Sequence, residues 1–190
     1  MATKGLAILS IYFEYSHYSI WYDIIIDMKS KNYAFIDGNN LYLGAKSQGI
    51  ELDYGKLRKY LRTKFDVEKA FLFIGYDPHN TTLYTALQTY GYVLIFKPTV
   101  IFEDENGNRT MKGNVDAELV LHAAAVEYNN YNQAIIVTSD GDFACLMRYL
   151  SDNDKLKKII TPTERFSKLL KPFVDNILPL KTIKNQIKKK

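Results

Sequence analysis

The chain has 190 residues, 47% of them hydrophobic, which is enough for one domain with a sizeable core and too apolar for a disordered chain. Its apolar runs are too short and too interrupted to cross a bilayer, and the single Cys145 excludes an intramolecular disulfide and a cysteine-based zinc site. The net charge of +4 divides unevenly: residues 155–190 carry eleven Lys/Arg against two acids (+9), and residues 1–154 carry fourteen against nineteen (−5). A basic end beside an acidic body suits a nucleic-acid enzyme with a carboxylate metal site.

In chain order, residues 1–27 are rich in Tyr, Ile and Phe and hold neither a helical nor a strand period. Gly5 to Phe13 resembles a short signal core, but Glu14 follows at once and no small-residue cleavage site appears. The segment reads as a dispensable extension preceding a native-like start at Met28; the alternative is an added helix covering an apolar surface. Tyr33 to Ile36 reads as a strand that stops at the polar turn Asp37-Gly38-Asn39-Asn40. Asp53 is placed to cap a helix with Tyr54, Leu57, Leu61 and Phe65 on one face. Ala70 to Ile74 is the second strand, Leu83 to Tyr90 the second helix with Gly91 after its end, and Tyr92 to Phe96 the third strand.

Val100 to Phe102 and Arg109 to Lys112 flank Asn106-Gly107, a hairpin-turn signal. A helix over Val115 to Tyr128 follows, then a strand over Ala134 to Val137 and a helix carrying Phe143, Leu146, Met147 and Leu150. Leu156 to Ile160 is a further strand, Ser167 to Leu170 a short helix, and Asn176 to Leu180 a last extended piece. Apolar strands alternating with amphipathic helices predict an α/β fold: a mostly parallel sheet covered on both faces. The expected organisation is an extension over 1–27, a domain over 28–180 and a basic tail over 181–190. For that tail, RNA contact and simple solubilisation are both open readings.

The acids fall where such a fold gathers ligands. Asp37 follows the first strand, Asp140 and Asp142 follow the strand over Ala134 to Val137, and Asp116 lies in a first helical turn. All four can converge on the edge formed by the strand C-termini. Any one of them alone reads as an ordinary helix cap or dipole partner. Four together repel one another, and a divalent cation bound through their oxygens removes the conflict. With His17, His79 and His122 scattered along the chain, the expected ions are magnesium or manganese.

Three segments carry a family resemblance. Phe35-Ile36-Asp37-Gly38-Asn39-Asn40-Leu41, Lys112-Gly113-Asn114-Val115-Asp116 and Val137-Thr138-Ser139-Asp140-Gly141-Asp142-Phe143 resemble, in order, the three motifs of NYN domains. Asn114 departs from the pattern, since many relatives run from the glycine straight into Val-Asp. The resemblance spans roughly Tyr33 to Leu180. It implies a three-layer PIN-like fold, a divalent metal and cleavage of RNA. It also implies Asp37, Asp116, Asp140 and Asp142 as the catalytic and metal-binding set, Asn40 and Ser139 as supporting polar groups, and Lys112 as a contact to the RNA backbone or an ordinary hairpin lysine. A cytoplasmic protein with RNA as partner, no membrane contact and an open possibility of homo-oligomers is the accompanying expectation.

Other motifs fail. Asp104-x-Asn106-x-Asn108 begins like a calcium loop, but Arg109 stands where Gly is required and Val115 where the final Glu is. Neither a phosphate-binding P-loop nor a Gly-x-Ser-x-Gly elbow is present. Two other functions stay open: a Toprim-like or other metal-dependent phosphotransfer enzyme using Asp140 and Asp142, and an RNA-binding module without catalysis.

Overall fold

The computed structural model describes residues 31–97, 100–103, 109–112 and 115–189, with the backbone alone for 100–103 and 109–112. The 1–27 extension and the Asn106-Gly107 turn lie outside the described residues. Lys31–Lys190 cluster as one compact unit.

The central sheet is parallel throughout. It comprises β1 (Asn32–Asp37), β2 (Val67–Gly75), β3 (Tyr92–Lys97), β6 (Ala134–Val137), β7 (Leu156–Thr161) and β8 (Ile177–Pro179), in the order β3-β2-β1-β6-β7-β8. A separate antiparallel hairpin joins β4 (Val100–Glu103) to β5 (Arg109–Lys112). Among the described residues the α-helices are α1 (Gly38–Ser47), α2 (Tyr54–Phe65), α3 (Thr81–Thr89), α4 (Asp116–Leu121), α5 (Ala144–Asp152) and α6 (Lys184–Ile187).

Strand periodicity divides the apolar side chains between two faces. On one face Phe35 and Ile136 pack with Leu119 of α4 and with Leu146, Met147 and Leu150 of α5. On the other, Ile36, Ile135 and Val137 pack with Leu41 and Ala45 of α1 and Leu57 and Leu61 of α2. The result is the expected three-layer α/β/α arrangement. Among the described residues no helix is long and apolar enough to cross a membrane.

The order of strands reverses between β1 and β6. From β1 the chain builds outward to β2 and β3, then crosses back to place β6 on the other side of β1. The two strands diverge in connectivity there, and their C-terminal ends leave a crevice between the outgoing loops. Asp37 ends β1, and Asp140 lies three residues beyond β6.

Four elements differ from the sequence reading. The short helix expected over Ser167 to Leu170 is a nine-residue 3₁₀ segment, Lys168–Asn176. The turn expected after Asp37 is instead the first turn of a ten-residue helix, α1. Its Gly38, Asn39, Asn40 and Gly44 are poor helix formers, so the buried pair Leu41 and Ala45, four apart, was its main signal. The single helix expected over Val115 to Tyr128 is α4 followed by a π-helical turn, His122–Val126. The tail expected from residue 181 is folded onto the domain. Ile183 and Ile187 are 4% and 0% exposed, and the backbone N–H of Asp53 donates to the Ile187 carbonyl at 2.8 Å. Apolar residues at 180, 183 and 187 follow a helical spacing that the surrounding lysines obscured.

Candidate functional site

Asp37 is the last residue of β1 and the N-cap of α1, and its Oδ1 accepts a hydrogen bond from the Asn40 N–H at 3.0 Å. Gly38 must follow. A Cβ there would lie 2.3 Å from the Ile74 methyl and 2.8 Å from the Phe73 carbonyl oxygen, so only glycine lets α1 start this close to β2. Asp37 is 6% exposed. Burial pushes its pKa up to about 6, the backbone N–H groups of Asn40 and Asn39 oppose the rise, and the charges of Asp116 and Asp140 add to it.

On the neighbouring strand, Thr138 and Ser139 turn the chain out of β6. The Asp140 N–H donates to Thr138 Oγ1 at 3.1 Å, and Asp140 Oδ1 accepts from the Asp142 N–H at 3.0 Å. Asp140 thus caps a short 3₁₀ turn, Gly141–Phe143, which leads into α5. Asp116 opens α4, in the first turn, where a negative charge is favoured by the exposed N–H groups.

These elements bring the four predicted acids together in two overlapping sets. Asp116, Asp140 and Asp142 each offer a carboxylate oxygen, and those atoms all lie within 4.8 Å of one another. Asp37, Asp116 and Asp140 line one pocket of about 510 Å³, together with Asn40, Ser47 and Thr163. Asp116 and Asp140 belong to both sets, with Asp37 on the buried side and Asp142 exposed. Burial, and then the charges of Asp116 and Asp140, raise the cost of ionising Asp37. An oxygen-liganded divalent cation is the kind of group that such hard donors fit.

The two supporting residues hold the site's frame. Asn40 Oδ1 accepts from the Ser139 N–H at 2.9 Å, tying α1 to the end of β6. Ser139 Oγ in turn accepts from the Thr163 N–H at 3.0 Å, and its carbonyl accepts from the Ser167 N–H at 3.1 Å, tying β6 to the loop after β7. Lys112 ends β5, close in sequence to α4, and its side chain is outside the described part. The sequence reading gave no role to Thr138, Asn39, Ser47 or Thr163. Thr163 had a signal, since a polar residue just after the buried strand β7 sits on the same edge as Asp37 and Asp140.

The NYN domain family matches residues 32–181. The low amplitude and bright protein LabA of Synechococcus elongatus is 26% identical over 161 residues, covering 82% of this chain and 86% of its own. In fold, the chain is similar to a crystal structure of a Vibrio parahaemolyticus protein of unknown function, with a TM-score of 0.62 and 23% identity, over 81% of this chain and 94% of that one. The family match runs from the first residue of β1 past β8 and takes in every acid of the crevice, so this chain belongs to the NYN domain family.

Proposed function

We propose that the chain is a metal-dependent ribonuclease whose site is Asp37, Asp116, Asp140 and Asp142. The observation that carries the reading is the approach of Asp116, Asp140 and Asp142 to within 4.8 Å, beside a buried Asp37, at the strand-order switch. Magnesium or manganese held by these carboxylates would supply an activated water and charge stabilisation on a phosphodiester. The chain's own residues do the rest. The backbone N–H groups of Asn40 and Asn39 favour the ionised form of Asp37 against its burial. The hydrogen bond from the Asp142 N–H orients the Asp140 carboxylate. Asn40 and Ser139 fix the separation of the β1 and β6 ends, and so of Asp37 from Asp140. Lys112 is proposed to contact the RNA backbone.

Incubating the full chain with labelled RNA, with and without Mn²⁺, tests the activity. Cleavage should need the ion, and both Asp37→Asn and Asp140→Asn should abolish it. Asn is as good an N-cap as Asp, so both variants should keep their helices by circular dichroism. Full activity in either folded variant would remove the proposed site. Binding of RNA without ion-dependent cleavage would favour the runner-up, an RNA-binding module.

A further inference from the structure

Asn39 lies between Asp37 and Asn40 and borders two recesses. One is the acidic pocket; the other, of about 430 Å³, is lined by Tyr42, Tyr54, Tyr84, Leu83 and Asn80 as well as Asn39. A third recess continues from the second, sharing Tyr42 and Tyr54 and adding Lys46. Three chemistries therefore follow one another along the surface: carboxylates, then aromatic rings with side-chain amides, then the Lys46 ammonium beside the Lys189–Glu51 ion pair. Asn39, Tyr42 and Lys46 are all exposed and fall at i, i+3 and i+7 of α1, so they form one stripe on the helix. At 1.5 Å per residue the stripe runs about 10 Å along the helix axis.

We infer that the recess lined by Tyr42, Tyr54 and Tyr84 receives one unpaired nucleobase of the RNA strand whose phosphate lies at the acidic pocket. The inference rests on the nuclease reading for what occupies that pocket. Tyr42 is 52% exposed, with the Lys46 ammonium 5.8 Å from its ring centre. That ammonium lies over one face of the ring, so an exposed aromatic ring and a basic group stand together, the pair by which single-stranded nucleic acid is held: bases stack on aromatic rings while phosphates meet basic groups. Asn39 and Asn80 also line the slot; Asn80 Nδ2 donates to Asp77 Oδ2, and side-chain amides are groups suited to the edges of a base. A base within a duplex is stacked and paired and cannot enter, so the slot selects single strands.

Fluorescence anisotropy in EDTA, where no cleavage occurs, tests this on the full chain with a labelled single-stranded RNA octamer and the corresponding duplex. Tyr42→Ala should weaken octamer binding about tenfold, the loss typical of one base–aromatic stack, while Tyr42→Phe keeps it. An octamer with one abasic position should lose a similar factor against the wild-type chain and nothing more against Tyr42→Ala, because both changes remove the same contact. Duplex binding should be weaker than octamer binding and unaffected by Tyr42→Ala. The inference is overturned if the octamer does not bind, if Tyr42→Ala binds it as tightly as wild type, or if the abasic and Tyr42→Ala losses add. The nuclease reading fails separately, by absence of Mn²⁺-dependent cleavage while the Tyr42 effect persists.

Discussion

Asp37 sets the electrostatics of the crevice. Its pKa is raised from 3.8 to about 6, first by burial and then by the neighbouring charges. Between those two values the folded chain holds a proton that the unfolded chain has released. Stability without metal therefore falls as pH rises from about 4 to about 6, and it is unaffected by this group below the unfolded value. Asp37→Asn removes that cost, which at 1.36 kcal/mol per pKa unit comes to roughly 3 kcal/mol at neutral pH. In EDTA at pH 7 the variant should melt several degrees above wild type, and the difference should vanish by pH 4. Thermal melts across that range check the sign; a variant less stable than wild type at pH 7 would show that the carboxylate is held by something stronger than the helix cap. Added Mn²⁺ should narrow or reverse the gap, since Asp37→Asn keeps Asp116, Asp140 and Asp142 but loses one carboxylate of the set, so the ion stabilises wild type more than the variant. Metal affinity should climb steeply up to about pH 6, because the ligand must lose its proton to bind.

At the level of elements, the site depends on how closely α1 and the loop after β7 approach. Gly44 lies in α1 against Pro162, and a Cβ there would sit 2.5 Å from the proline Cβ and 2.8 Å from its carbonyl carbon. Backbone cannot yield as a side-chain tip can, so Gly44→Ala should destabilise the fold by about 1–3 kcal/mol. It should also weaken Mn²⁺ binding, because Thr163 one residue on is hydrogen-bonded to Ser139. Titration calorimetry on the folded variant checks this, and unchanged affinity would mean that the loop does not help to position the acids. The same region marks the limit of what the sequence disclosed. Asp37, Asp116, Asp140 and Asp142 were legible because strand and helix periods placed them all at one edge. α1 was not, because four weak helix formers hide a helix whose stability comes from packing Leu41 and Ala45 on the sheet. With α1 unseen, Asn39 and Tyr42 had no common face, and Thr163 had nothing across from it. Contacts between elements far apart in sequence leave no periodic trace in either one.

At the scale of the whole molecule, the clustering of Lys31–Lys190 as one unit leads to the expectation that a chain beginning at Met28 folds and cleaves RNA like the full one. Insolubility of that shorter chain beside a soluble full-length one would assign residues 1–27 a structural task. The opposite end answers differently. Deleting residues 181–190 would remove Ile183 and Ile187 from the core, and each buried isoleucine side chain is worth about 2–5 kcal/mol, so the deletion should unfold the domain rather than report on RNA. Charge has to be tested by substitution. Lys181 and Lys189 are already engaged, with Glu164 and Glu51 respectively, so each has a carboxylate that competes with phosphate. Lys184 and Lys188 flank the buried Ile187 within the same folded segment, and Lys189 lines the recess that holds Lys46 and Tyr42. If the strand leaving the base slot runs toward this edge, Lys184→Ala with Lys188→Ala should lower the slope of log affinity against log salt by about 1.4, from about 0.7 per phosphate contact on a single strand. Lys181→Ala should change it little. The melting temperature should hold in both, since neither substitution touches the core. A slope that stays the same with Lys184 and Lys188 both removed would make the C-terminal segment a clasp for α2 and nothing more, with the RNA leaving the slot in another direction.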